Sequence, residues 1–245
     1  MIPPNPTAKL WLFDFDNTLA ALECEVDWTG SRRELEAYLR SEGVDEPIFA
    51  EIPKGNLPLY SVLHSRWLRS SADSVASPPR GRAEALLRYS SEIIERHELL
   101  GAERAMPACG AIDLLRALAA RAAVSIVVTS NSSRTVARWL DRHDVADLVH
   151  AIVGRDSLLA LKPSPEMVAR ALALATTFAA EALASSSAAD AVFVGDSLAD
   201  LDAARAAGLG FYGIATTESA RDRLLAAAAT DIFTSPAALR IYLNL

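Results

Sequence analysis

The sequence predicts an α/β fold in which a doubly wound parallel sheet carries a helical segment inserted after its first strand. The first observation is that apolar, branched runs alternate with helical patterns from residue 106 onwards. The second is that residues 21–105 show helical spacing without a run typical of a strand. The third is that acidic or polar residues directly follow several apolar runs, where the strands of a parallel sheet end.

Six apolar runs form the predicted strands. In chain order they are residues 9–15, 124–129, 148–153, 191–194, 211–215 and 231–233. Helices are predicted between them at residues 110–121, 133–144, 198–207 and 218–229. Another helix starts at Ser164-Pro165-Glu166, where serine caps and proline occupies the first turn, and it runs to a loop at residues 185–187. This alternation is typical of a parallel sheet covered by helices on both faces.

The inserted segment contains three predicted helices, at residues 31–42, 57–69 and 80–101. Leu59, Leu63 and Trp67 illustrate the spacing, because residues three or four apart share one face of a helix. We therefore expect two domains. Residues 1–20 and 106–245 form the core that contains the sheet, and residues 21–105 form a helical insert.

Composition and charge exclude several classes of function. The chain has 245 residues, a net charge of −7 and no block rich in lysine or arginine, so nucleic acid and anionic membranes are not expected partners. Its two cysteines, Cys24 and Cys109, suggest no disulfide framework. Residues 1–7 contain no apolar signal region and no stretch reaches membrane-spanning length. A cytoplasmic monomer or homodimer is expected.

Two carboxylates, Asp14 and Asp16, stand at the end of the first apolar run. Burying unpaired charge is costly, so they need a counter-charge, and a divalent metal ion is the natural candidate. One carboxylate can act as a nucleophile while its neighbour transfers protons. The pair therefore predicts a catalytic site at this edge of the sheet.

Further polar motifs follow later strands. They are Thr129-Ser130-Asn131-Ser132, Lys162-Pro163, and Gly195-Asp196-Ser197 followed by Asp200. Each has a simpler explanation when taken alone; Ser197 and Asp200, for example, have the spacing of a helix-capping pair. Their common placement at strand ends is the stronger indication of a shared site.

These four motifs together resemble those of the haloacid dehalogenase-like hydrolase superfamily. The motifs are Asp14-Phe15-Asp16-Asn17-Thr18, Ser130-Asn131, Lys162-Pro163 and Gly195-Asp196-Ser197-Leu198-Ala199-Asp200. The phosphatase branch that contains phosphoglycolate phosphatase is the most similar. The resemblance covers a Rossmann-like core, and the insert matches the position of the family's helical cap without showing a cap-specific motif.

The resemblance implies a role for each motif residue. Asp14 is the nucleophile that forms an aspartyl-phosphate, and Asp16 is the general acid and base. Mg²⁺ is the implied cofactor, held by Asp14, Asp196 and the backbone carbonyl of Asp16. The residues implied in binding the phosphoryl group are Ser130 and Lys162, which also assist catalysis, with Phe15 through its amide, Thr18 and Asn131. Asp200 is implied in the second shell around the metal, or in capping a helix alone.

The implied function is Mg²⁺-dependent hydrolysis of a small phosphorylated metabolite, a phosphate monoester. A sugar-phosphate mutase is an alternative, because it shares the first half of the reaction. A 2-haloacid dehalogenase is less expected, because that branch needs no metal and does not keep an aspartate two residues after the nucleophile, as Asp16 is here. A non-catalytic phosphate-binding module is the last alternative. The substrate itself stays open at this point.

Overall fold

The computed structural model describes residues 2–52, 54–69, 78–178 and 190–245. Its centre is a six-stranded sheet in which every neighbouring pair is parallel, in the order β3-β2-β1-β4-β5-β6. The strands are β1 (Leu10–Phe13), β2 (Val124–Val128), β3 (Ala151–Val153), β4 (Ala191–Gly195), β5 (Gly210–Ile214) and β6 (Asp231–Phe233). All six predicted strands are present, and the predicted fold class is confirmed.

Ten α-helices are found in the described part of the chain. They are α1 (Trp28–Ser41), α2 (Pro47–Glu51), α3 (Asn56–His64), α4 (Arg80–Ala102), α5 (Ala111–Ala120), α6 (Ser133–Arg142), α7 (Glu166–Phe178), α8 (Leu198–Ala206), α9 (Glu218–Ala226) and α10 (Pro236–Tyr242). The loop predicted at residues 185–187 lies outside the described residues. Within the described ranges, no helix combines the length and apolar character needed to cross a membrane.

The sheet is buried on both faces, which explains why its strands are apolar at successive positions. Side chains alternate across a strand, and β1 shows the result. Leu10 and Leu12 pack into the apolar cluster on one face, whereas Trp11 and Phe13 pack into the cluster on the other. Trp11 also stacks on Tyr212 of β5, with ring centroids 5.8 Å apart. Two covered faces are the physical meaning of a doubly wound sheet.

Local turn chemistry moves several boundaries away from the predicted ones. The first strand ends at Phe13 rather than at residue 15, because the chain turns immediately afterwards. Asn17 adopts a left-handed conformation with φ of 58°, and its backbone N–H donates to the carbonyl of Ala20 at 2.7 Å. The helix predicted at residues 57–69 is α3 followed by a π-helical turn, Ser65–Arg69. Helices α2 and α10 were not predicted.

Helices α1 to α4 lie in sequence between β1 and α5, where the cap is predicted. Helix α4 packs against α1 and α3 of the insert. It also packs against α6, which lies beside the sheet. Leu35, Leu59, Leu63 and Leu87 are buried among these helices. Because α4 touches both groups of helices, it connects the insert to the core.

Candidate active site

All of the predicted site residues except Phe15 and Thr18 line a cavity of about 610 Å³ at the carboxyl edge of the sheet. Phe13 is in register with Val127 of β2 and Val194 of β4, so the residues that follow these three strands meet at one edge. From the core, the cavity is lined by Asp14, Asp16, Ser130, Asn131, Lys162, Asp196 and Asp200, among others. From the segment predicted to be the cap, its lining includes Glu23, Trp28, Asn56, Leu57, Pro58 and Ser61.

Three carboxylates converge in this cavity. Asp14, Asp196 and Asp200 each offer one oxygen, and these oxygens lie within 4.8 Å of one another. Lys162 provides the counter-charge, because its Nζ lies 2.5 Å from Asp14 Oδ1 and 2.5 Å from Asp200 Oδ1. Its Nζ also donates to the carbonyl of Val128 at 2.9 Å. The lysine is therefore held between two strand ends and the start of α8.

The crowding of these charges shifts their pKa values. Burial raises the pKa of Asp14 to about 6, an effect that Lys162 opposes and Asp200 increases. Burial, together with Asp14 and Asp200, raises the pKa of Asp196 to about 8. Burial lowers the pKa of Lys162, but Asp14 and Asp200 outweigh it, so the pKa lies above its ordinary value. One lysine thus leaves the three carboxylates incompletely compensated.

The carboxylate cluster fits a hard divalent cation. Its donors are oxygens, which Mg²⁺ prefers, and opposite ligands of Mg²⁺ stand roughly 4 Å apart. The observed limit of 4.8 Å is wider by about 0.8 Å, a change that small side-chain rotations can supply. A cation between Asp14 and Asp196 would also counter the burial and the neighbouring negative charges that raise their pKa values. Asp16 is not among the residues of this cluster, and its role as a ligand through the backbone carbonyl stays a prediction.

Asp200 caps α8 and also forms an ion pair with Lys162. Its Oδ2 accepts from the amide of Ser197 at 3.1 Å, and Ser197 Oγ accepts from the amide of Asp200 at 3.2 Å, which caps α8. Its Oδ1 lies 2.5 Å from Lys162 Nζ and forms an ion pair with it. Gly195 makes room for this carboxylate, because a Cβ there would lie 2.6 Å from the Cβ of Asp200.

Asp16 is half-buried and lines the cavity, but it is not a member of the three-carboxylate cluster. Its Oδ1 accepts hydrogen bonds from the amides of Leu22 at 3.0 Å and Glu23 at 2.8 Å. Burial raises the pKa of Asp16 to about 7; these hydrogen bonds lower it, and the charges of Asp14 and Glu23 raise it. A pKa near neutrality suits a group that must both donate and accept a proton.

The residues predicted to bind the phosphoryl group differ in their surroundings. Ser130 is half-buried and lines the cavity. Asn131 has both ends of its amide engaged, since Nδ2 donates to Glu98 at 3.0 Å and Oδ1 accepts from Thr129 Oγ1 at 3.0 Å. Thr18 is fully buried, and its Oγ1 has no hydrogen-bond partner among the described residues. The side chain of Phe15 packs edge-on against Trp139, so only its backbone can face a ligand.

Two residues beside the site were missed by the sequence analysis. Glu98 of α4 and Arg155, which follows β3, form an ion pair in which both side chains are fully buried. They are far apart in the sequence and belong to none of the four motifs. A weak signal existed, because Glu98 lies four residues after the buried Ile94 and so places a charge on the apolar face of α4.

The arrangement is that of an enzyme active site at the carboxyl edge of a parallel α/β sheet. The family model of the haloacid dehalogenase-like hydrolases matches residues 74–214, more than half of the chain. The chain therefore belongs to this family of hydrolases, as the motifs predicted. The match begins after Asp14, but β1, which precedes Asp14, pairs with β2 and β4 inside the matched region.

Solved structures show the same fold at low sequence identity. CbbY from Rhodobacter sphaeroides in complex with phosphate is 23% identical, with a TM-score of 0.60, covering 97% of this chain and 100% of that chain. A mutant of CbbY in complex with xylulose-(1,5)bisphosphate is 22% identical, with a TM-score of 0.58 and coverages of 94% and 95%. A suggested phosphoglycolate phosphatase from Lactobacillus plantarum is 16% identical, with a TM-score of 0.59 and coverages of 97% and 99%. No curated protein matches this chain.

Proposed function

We propose that this protein is a Mg²⁺-dependent phosphatase that hydrolyses a small phosphate monoester through an aspartyl-phosphate on Asp14. The observation that carries the proposal is the convergence of Asp14, Asp196 and Asp200 within 4.8 Å, with Lys162 2.5 Å from Asp14. Family membership supports a hydrolase. The complexes of CbbY with phosphate and with a sugar bisphosphate support phosphorylated substrates for this fold.

The residues divide the work by position. Asp14, Asp196 and the carbonyl of Asp16 would hold Mg²⁺, which when bound supplies positive charge against the repulsion between a carboxylate and a phosphate dianion. Asp14 attacks phosphorus as the bond to the leaving oxygen breaks, and Asp16 protonates that oxygen. Asp16 then removes a proton from water, which attacks the aspartyl-phosphate and releases phosphate. Lys162 and Ser130 contact the phosphoryl oxygens throughout.

We assign residues 1–20 and 106–245 to the catalytic core and residues 21–105 to a cap that supplies the outer wall of the cavity. That wall contains Trp28, Leu57 and Pro58 with the carboxylate of Glu23. Among the cavity-lining residues in the described part of the chain, Lys162 is the only positively charged one. The residues outside the described ranges, which are 1, 53, 70–77 and 179–189, include no lysine or arginine. This cavity therefore best fits a substrate whose leaving group carries no second anionic group.

Turnover and metal dependence test the proposal. Purified protein with Mg²⁺ is expected to release phosphate from p-nitrophenyl phosphate, and excess EDTA is expected to stop the release. Asp14→Asn should abolish turnover, whereas the control Asp202→Asn, on the exposed side of α8 beside Arg205, should not change it. Full activity in EDTA, or in Asp14→Asn, would contradict the proposal. A product isomer in place of phosphate would indicate the mutase, and halide release from a 2-haloacid without metal would indicate the dehalogenase.

A further inference from the structure

We propose that Glu98 and Arg155 are positioning residues that fix the loop carrying Ser130 in the orientation that binds the phosphoryl group. The inference rests on the proposed phosphatase function, because it concerns the same cavity. It extends the site to two side chains that belong to none of the four motifs. Neither residue lines the cavity, so both act through their neighbours.

The two side chains form a bidentate pair with no exposed surface. Arg155 Nη1 donates to Glu98 Oε1 at 2.8 Å, and Arg155 Nη2 donates to Glu98 Oε2 at 3.0 Å. Parallel bonds between a guanidinium and a carboxylate fix both groups in angle as well as in distance. The pair therefore provides a rigid reference point inside the protein.

Three consecutive loop residues after β2 attach to this reference point. The carbonyl of Ser130 accepts from Arg155 Nη1 at 2.7 Å. Asn131 Nδ2 donates to Glu98 Oε1 at 3.0 Å, and the amide of Ser132 donates to Glu98 Oε2 at 3.1 Å. The amide of Arg155 also donates to the carbonyl of Asn131 at 2.9 Å. The direction of the Ser130 side chain is consequently set by groups that an ion pair holds in place.

The same pair ties the loop to α4. Glu98 lies on α4, and Arg155 reaches back to this helix at Ser91, donating through Nε to Oγ at 3.0 Å and through Nη2 to the carbonyl at 3.2 Å. A buried ion pair is a poor way to gain stability, because apolar residues of similar volume often stabilise a fold as well or better. What the pair supplies that an apolar contact cannot is a set of directed bonds to Ser130, Asn131 and Ser132.

Two variants test the role while keeping the core filled. Arg155→Lys keeps a positive charge beside Glu98 but loses the planar fork that reaches Glu98 and Ser130 together. Ser91→Ala removes one hydrogen bond of Arg155 and leaves the ion pair intact. The measurements are the inhibition constant of inorganic phosphate, and kcat and KM for p-nitrophenyl phosphate. For Arg155→Lys, we expect an inhibition constant roughly tenfold higher, with KM rising in parallel. Ser91→Ala should shift both in the same direction by about two- to fivefold.

A matched control lies at the end of α4, the helix that carries Glu98. Glu103→Gln breaks the surface ion pair between Glu103, which directly follows α4, and Arg138 of α6, in which Arg138 Nε lies 2.6 Å from Glu103 Oε1. This pair does not contact the loop that carries Ser130. The phosphate inhibition constant of this variant should equal that of the wild type. An unchanged inhibition constant in either folded variant, Arg155→Lys or Ser91→Ala, would overturn the positioning role. A wild type that neither binds phosphate nor hydrolyses esters would instead overturn the proposed function.

Discussion

Replacing Lys162 with methionine removes the only positive side chain in contact with the carboxylate cluster among the described residues. Methionine keeps a long, apolar stem, so the change is mainly one of charge. In the wild type, Lys162 Nζ lies 2.5 Å from Asp14 and 2.5 Å from Asp200. The substitution leaves these two carboxylates, and Asp196 beside them, without that counter-charge.

The expected loss of stability follows from the burial of the pair. Lys162 and Asp200 have side chains that are 4% and 1% exposed, so solvent screens their interaction little. Removing one partner of a buried ion pair costs roughly 3–5 kcal/mol, because the other charge stays buried alone. For a protein of this size, that corresponds to a fall in Tm of roughly 6–20 °C. Turnover should also fall by about 10²- to 10³-fold, because a fixed charge next to the reacting group is lost.

The loss should depend on pH and on Mg²⁺. Carboxylates whose folded-state pKa lies above the unfolded value reduce stability as they ionise, so the deficit grows as pH rises through the folded-state pKa. In the wild type these values are about 6 for Asp14 and about 8 for Asp196, and removing Lys162 moves them upward. The deficit should therefore be small near pH 4 and largest near pH 8, where added Mg²⁺ should reduce it.

Urea unfolding at both pH values, with and without Mg²⁺, measures this effect. Lys9→Met is the control, because Lys9 is exposed at the opposite end of β1, and a change within about 0.5 kcal/mol is expected there. If Lys162→Met unfolds at the same urea concentration as the wild type at pH 8 without Mg²⁺, the electrostatic description of the site is wrong.

Three further predictions concern proton transfer, the leaving group and packing. Asp16→Asn should slow the hydrolysis of alkyl phosphates by about 10²- to 10⁴-fold. The wild-type rate on alkyl phosphates should fall as pH rises through about 7, where Asp16 loses its proton. The first step with p-nitrophenyl phosphate needs no acid, so its rate, measured as a burst after rapid mixing, should not depend on pH in this way. 2-Hydroxyethyl phosphate should have a higher kcat/KM than 2-phosphoglycolate, which carries a carboxylate in place of the hydroxymethyl group, and Glu23→Gln should reduce this difference in kcat/KM. A preference for phosphoglycolate would refute the assignment of the cavity wall. Gly195→Ala should lower stability by about 1–3 kcal/mol and reduce turnover, because the added Cβ would lie 2.6 Å from the Cβ of Asp200; equal melting curves would rule this out.

The parts of the site that were predictable share one property: they stand next to strand ends. Asp14, Ser130 and Asp196 each follow an apolar run by one or two residues, so the parallel topology alone brings them together. The role of Asp200 was harder to predict, because its one carboxylate both caps α8 and contacts Lys162. A capping motif in sequence cannot show what the second oxygen of the carboxylate touches.

Other features depend on contacts between distant segments. The five-residue helix α2 is too short to show a period, and β1 is shorter than predicted because Asn17 turns the chain back towards Ala20. Glu98 and Arg155 meet only after α4 packs beside the loop that follows β2. The sequence positions of these two residues do not indicate that they form a pair. The hydrogen-bond network that they make around Ser130 forms only through tertiary packing.

The central claim is that Asp14 accepts a phosphoryl group with the help of a metal ion bound between carboxylates, and the acid-quenched phospho-enzyme tests it most directly. The Asp16→Asn variant, which should be slow to hydrolyse the intermediate, is mixed with p-nitrophenyl phosphate and Mg²⁺, quenched in acid, and its peptides are analysed by mass spectrometry. We predict one phosphoryl group on Asp14 with Mg²⁺ and none when EDTA is present. An unmodified Asp14 during steady turnover, or equal labelling in EDTA, would contradict the claim.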